Sequence, residues 1–159
     1  MIPVKLTIEG LYSYQERQII DFSDLTEAGL FGIFGNVGSG KSSILEAIIY
    51  VLYGETERLN SKDKRAYNMM NLKSNLSYIE FDFFNFEQKL YRATREFKRN
   101  SKRFEDVKSP TVVFYEQKEN EWIPLNHSKA EEIIGLSYEN FKRTIIIPQG
   151  QFKEFIELG

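Results

Sequence analysis

Eight consecutive residues constrain this chain of 159 more than any others: Gly35-Asn36-Val37-Gly38-Ser39-Gly40-Lys41-Ser42. They match the spacing G-x-x-x-x-G-K-[ST], and their context fits it. Ahead of them, the apolar run from Gly29 to Gly35 reads as a central strand covered on both faces. Behind them, Ile44, Leu45, Ile48, Ile49, Val51 and Leu52 recur at helical spacing, and Glu46 is the one acid. The spacing predicts a helix from Lys41 to Tyr53, buried on most sides, with Gly54 at its C-cap. Strand, glycine loop and helix form a P-loop, which commits the chain to an α/β fold. Glycines at 35, 38 and 40 let the backbone curl so that successive N–H groups face a phosphate. The positive end of the helix dipole points at the same anion. Lys41 is expected to reach the β- and γ-phosphates, and the Ser42 hydroxyl to hold Mg²⁺.

The rest of the chain supplies strands and short helices. Val4, Leu6 and Ile8 alternate with polar residues as in a half-buried strand, and a turn over Gly10 to Glu16 should lead to a second strand from Arg17 to Phe22. The stretch from Glu55 to Ser74 is polar and irregular, the expected mobile loop. Tyr78 to Arg99 holds two alternating runs broken near Asn85 to Gln88, which predicts a β-hairpin. A second pair flanks Lys118 to Glu121. Ser128 to Gly135 and Tyr138 to Lys142 read as short helices. Thr144 to Pro148 reads as a strand, and Phe152 to Leu158 as the start of another helix.

Composition excludes several classes. There is no cysteine, so neither a disulfide framework nor a Cys-ligated zinc site can form. No apolar run approaches the roughly 18 residues of a membrane span, and the first ten residues lack a signal-peptide core, so a cytoplasmic protein is expected. The net charge of −2 conceals an asymmetry. Lys89 to Arg103 holds seven basic residues and only Glu96 as an acid, while the remainder is strongly acidic. Arg92, Arg95, Lys98, Arg99, Lys102 and Arg103 are candidates for tracking a nucleic-acid backbone; a solvated hairpin arm is the competing reading. Phe97 and Phe104, between these charges, are expected to pack in the hairpin, as is Trp122. His127, the one histidine, has no companion for a metal site.

Hydrolysis of a nucleotide usually needs a carboxylate at the end of an apolar strand, to hold metal and water. No run of four apolar residues followed by Asp occurs, so the chain is expected to hold a nucleotide without completing the chemistry alone. One further residue stands out. Gln149 sits between Pro148 and Gly150, at the end of the predicted last strand. In ABC-type ATPases a glutamine in that position contacts the metal and the attacking water.

With both motifs placed, the chain resembles the N-terminal lobe of the ATPase head of SbcC-type bacterial exonuclease subunits, which are SMC-like ABC ATPases of DNA double-strand-break repair. The stretches that carry the resemblance are LTIEGLYSYQERQIIDF, GLFGIFGNVGSGKSSILEAIIYVLYGETERLN and IIGLSYENFKRTIIIPQGQFKEFIELG. It implies one lobe over residues 1–159: a mixed sheet around the P-loop, a flanking antiparallel β-subdomain with hairpins at about 77–123, and a Q-loop at 148–152. A helix after 152 would lead into a long coiled coil, and a C-terminal lobe with the signature motif and Walker B would follow. The chain is thus expected to be a truncated piece or one half of a split head, with apolar surface where that lobe would pack.

For the site, the resemblance implies ATP held by Asn36, Val37, Gly38, Ser39, Gly40, Lys41, Ser42 and Ser43, with Ser42 and Gln149 on magnesium. Lys41 and Gln149 would be the catalytic contributors. Ser13, next to Tyr12, would lie near the nucleotide; some relatives have arginine where Tyr12 stands. Met69 to Asn71 would fall where a loop approaches the base, with core packing as the competing role of Met69 and Met70. The implied partners are the C-terminal lobe, a second head in a homodimer, an SbcD-type nuclease subunit and double-stranded DNA. Three alternatives stand beside it: an SMC- or RecF-like DNA clamp without a nuclease, a self-contained small P-loop kinase or GTPase, and a transporter ABC subunit.

Overall fold

A computed structural model describes residues 1–12, 14–22, 41–54, 70–71, 73–99, 102, 111–126 and 129–145; within the helices, the side chains of 41–43, 45 and 142–145 are not described. Among the described residues, six strands and three helices follow in chain order: β1 (Ile2–Glu9), β2 (Gln18–Asp21), α1 (Lys41–Tyr53), β3 (Leu76–Phe84), β4 (Leu90–Lys98), β5 (Thr111–Lys118), β6 (Glu121–Leu125), α2 (Ala130–Ile134) and α3 (Tyr138–Ile145). The strands form one sheet in the order β2-β1-β3-β4-β5-β6, and every pairing is antiparallel. The predicted hairpins are therefore continuous with the first two strands, in an α/β fold. The strand expected at Gly29 to Gly35, which would make the sheet mixed, lies outside the described residues.

Alternation decides which face is buried. Leu6 and Ile8 of β1 stand opposite Phe81 and Ile79 of β3, and Phe81 in turn faces Ala93 of β4. All of these are buried, and the small Ala93 leaves room for the ring opposite it. Phe81 stacks on Phe83 at 5.3 Å between centroids, and Phe83 on Tyr91 at 6.0 Å. Helix α1 covers this face. Its residues from Ala47 to Leu52 are buried without a gap, which explains why its sequence lacks a polar stripe. Tyr50 meets Phe97 edge-on at 6.0 Å, so Phe97 packs in the core as expected.

The turns follow from their residues. Asn85 closes the β3–β4 hairpin: its Oδ1 accepts from the backbone N–H of Glu87 and of Lys89, both at 3.0 Å. Its Nδ2 donates to the Ile133 carbonyl at 3.1 Å, tying the hairpin to α2. Between β5 and β6, Glu119 and Asn120 both have positive φ (52° and 65°), the two-residue turn whose twist suits adjacent strands. Gly54 ends α1 at φ 73°, donating its N–H to the Tyr50 carbonyl. Tyr53 locks α1 to the C-terminal helices: its hydroxyl donates to the Leu136 carbonyl at 2.8 Å, and its ring lies 5.2 Å from that of Phe141.

One expected element is corrected. The sequence predicts a strand from Thr144 to Pro148, yet Thr144 and Ile145 belong to α3. That helix is started by Ser137, whose Oγ accepts from the Asn140 N–H and whose carbonyl accepts from the Phe141 N–H. It is held by the fully buried Phe141. Tertiary anchoring outweighs the strand propensity of β-branched residues. The remainder, 146–148, lies outside the described residues, as do the polar stretch at 55–69, His127 and the helix expected after 152. No helix among the described residues is long and apolar enough to cross a membrane.

Candidate nucleotide site

Helix α1 begins at Lys41, the lysine of the glycine-rich motif. No acidic residue occupies its first turn, so the positive end of its dipole keeps its attraction for an anion. Along the helix, Glu46 is met by the turn after β1. The Tyr12 hydroxyl donates to Glu46 Oε2 at 2.7 Å, spanning 34 positions of sequence.

That turn is tightly built. Leu11 and Tyr14 exchange backbone hydrogen bonds of 3.0 and 2.7 Å, and Tyr12 between them adopts φ 48°. Gly10 precedes it at φ 68°; a Cβ there would sit 2.0 Å from the Leu76 carbonyl oxygen, so no other residue fits without movement. The Gly10 carbonyl accepts from Ser77 Oγ at 2.6 Å and from the Asn71 N–H at 2.9 Å. Asn71 Nδ2 then donates to the Tyr12 carbonyl at 2.7 Å, and Met70 forms a bridge with Leu11. Two segments far apart in sequence, at 10–12 and 70–71, thus meet each other, and the first reaches α1 at Glu46.

The candidate residues are distributed as follows. Lys41, Ser42 and Ser43 form the first turn of α1, and their side chains are not described. Ser13, Asn36, Val37, Gly38, Ser39, Gly40, Met69, Arg103, Phe104 and Gln149 lie outside the described residues. Met70 has 4% exposure and packs in the core, which favours its competing role over contact with a base.

The basic stretch does not form one surface. On β4, Arg92 and Lys98 point away from α1, whereas Arg95 points towards it. Arg92 makes a two-pronged pair with Asp82 (Nε–Oδ1 2.7 Å, Nη2–Oδ2 2.9 Å) and lies 4.2 Å above the Trp122 ring. The hydrogen bond to Asp82 holds its pKa above the ordinary arginine value. Arg95 is drawn inward, its Nε donating to the Val51 carbonyl at 2.9 Å near the end of α1. Arg99 is only 8% exposed. Lys98 and Lys102 are exposed, Lys98 lying 3.7 Å from Glu96. Three of the six candidate DNA contacts therefore have side chains committed to the fold or largely buried.

Sequence reading did not anticipate the link from Tyr12 to Glu46, the Asn71 clamp or the inward turn of Arg95. Gly10 was the available signal for the tight turn itself, though not for its partners Glu46 and Asn71, since a glycine ending an alternating strand marks a backbone position that no side chain can take. The parity of β4 was the signal for the third.

A helix that starts on the lysine of a phosphate-binding motif, packed on a sheet, defines a P-loop ATPase domain. The chain matches the family described as AAA domain over residues 5–158, nearly its whole length, and belongs to that family. Among curated proteins, it is 41% identical over 169 residues to the SbcC subunit of nuclease SbcCD from Clostridium acetobutylicum, covering 99% of this chain and 14% of that protein. The protein of the same name in Bacillus subtilis is 37% identical over 165 residues, again 99% and 14%. A protein of Aquifex aeolicus named "Probable DNA double-strand break repair Rad50 ATPase" is 31% identical over 160 residues, covering 99% of this chain and 15% of that one. The similarity to SbcC-type ATPase regions thus runs the length of the chain, which spans about a seventh of each relative.

Proposed function

We propose that this chain is the ATP-binding part of a DNA-repair ATPase head, which dimerises on ATP, binds DNA and governs an associated nuclease. The observation that carries it is the start of α1 at Lys41, within a chain similar throughout to the SbcC subunit of nuclease SbcCD. The residues present fit ATP and Mg²⁺: the helix end is free of acid, and the motif supplies a lysine and a hydroxyl at adjacent positions. Asn36 to Ser43 would hold the phosphates, and Ser42 with Gln149 the magnesium, which when bound neutralises charge on the transferring phosphoryl group. The turn from Leu11 to Tyr14, braced on Glu46, would set the wall beside the nucleotide at Ser13. For DNA, Lys98, Lys102 and Arg103 remain the contributors; Arg92, Arg95 and Arg99 would act by holding β4. A C-terminal lobe, a second head and an SbcD-type nuclease subunit complete the assembly in this reading.

The test is steady-state ATP turnover of the chain, with and without a C-terminal lobe from the same protein. Turnover should appear only on mixing and should fall at least about a hundredfold in Lys41→Ala and in Gln149→Ala. Robust turnover by the chain alone would overturn the split-site reading and restore the small-kinase or GTPase alternative.

A further inference from the structure

The described residues line a cavity of about 330 Å³ at the C-terminal end of α1, the end opposite Lys41. Its apolar wall is formed by Leu52, Val112 and Phe114, and its charged groups are Arg95, Lys129 and Glu131. The volume lies at the lower end of the range for small-molecule sites, of order 300–1,000 Å³.

Arg95 is the unusual member. Its Nε is spent on the Val51 carbonyl, and its Cζ lies 5.5 Å from the Tyr50 ring centroid. Nη1 and Nη2 lie over Gly54, each 3.2 Å from where a Cβ would project, so a glycine there makes room for the guanidinium. Among the described residues no carboxylate pairs with it, and burial holds its pKa below the ordinary arginine value. A desolvated cation beside an apolar wall is costly until an anion joins it. Among the described residues of its lining, two cations and one carboxylate leave one unit of positive charge.

We propose that this cavity binds a monoanionic carboxylate carrying an apolar body, such as an alkyl or aryl acid. The carboxylate would engage the outer N–H groups of Arg95 and the ammonium of Lys129, with the body against Val112 and Phe114. A polyphosphate is disfavoured by Glu131 and by the apolar wall, which could not compensate the loss of its hydration. This site is independent of the glycine-rich motif and stands whether or not the ATPase reading does.

Benzoate is the probe, followed by NMR on the chain, with benzamide as its uncharged match. Tyr53 and Tyr138 also line the cavity and, with Val112, act as reporters. Their resonances should shift saturably with benzoate and about tenfold more weakly with benzamide. Lys129→Ala, at an exposed position, should weaken benzoate roughly fivefold without altering the fold. Arg95→Lys, which keeps the charge but loses the planar fork, should weaken it about tenfold. Equal binding of the two probes, insensitivity to both substitutions, shifts confined to the Lys41 end of α1, or no saturable shift would each overturn the proposal.

Discussion

Gly10 and Gly135 are both left-handed glycines, with φ 68° and 82°, yet they bear different loads. A Cβ at Gly10 would strike the Leu76 carbonyl oxygen, whereas one at Gly135 would meet nothing within 4 Å. Gly135→Ala should therefore cost only the backbone term, about 1 kcal/mol. Gly10→Ala should cost about 3 kcal/mol or more, because the turn carrying Tyr12 must also move. Chemical denaturation of the two variants gives the comparison directly, and equal midpoints would contradict it. Tyr12→Phe is gentler. It removes the hydroxyl on Glu46 while leaving the ring, and it should lower stability by about 1 kcal/mol in the same assay.

Among elements, the β3–β4 hairpin rests on Asn85 more than on its strand residues. Its side chain makes three hydrogen bonds, two closing the turn and one reaching α2. Asn85→Ala should cost about 2 kcal/mol, and hydrogen exchange should show the turn amides of Glu87 and Lys89 losing protection before the strand centres. Phe81→Ala, at the centre of β3, should cost about 3–5 kcal/mol and lower protection across the sheet together. Hairpins and α1 were legible because period and turn chemistry coincide there: the predicted helix from Lys41 to Tyr53 has its observed bounds, and Asn85 falls where a break is expected. Two features were not legible. Thr144 and Ile145 carry strand propensity in a helix anchored by Phe141. The basic stretch looked like one surface because counting charges ignores the two-residue period that turns Arg95 inward and Arg92 outward. In the candidate site, the motif was legible from spacing, but the meeting of Tyr12 with Glu46 was not, since nothing local links positions 34 apart.

For the molecule as a whole, alkaline pH exposes how its tyrosines are used. Burial raises the pKa of Tyr53, with Glu131 adding to it; burial raises that of Tyr78 too, helped by its hydrogen bond to Glu80. Both folded values exceed the ordinary 10.0, so the unfolded chain releases these protons first. Their contribution to stability is complete below pH 10 and declines as pH rises beyond it. Unfolding midpoints measured across that range should fall more steeply in the native chain than in Tyr78→Phe, which also spares Tyr53.

The strand order has a consequence in time. From β3 to β6 each strand pairs with its successor, so this half can assemble by short chain closures. β1 reaches β3 only across a long excursion, with Leu6 opposite Phe81. Pairings of that span are slow to form, so β1, and with it the Gly10–Tyr14 turn against α1, should be laid on a meander already in place. The wall proposed for the nucleotide site would then be the last surface to appear during folding, and, on that proposal, competence to bind would report that the chain had finished.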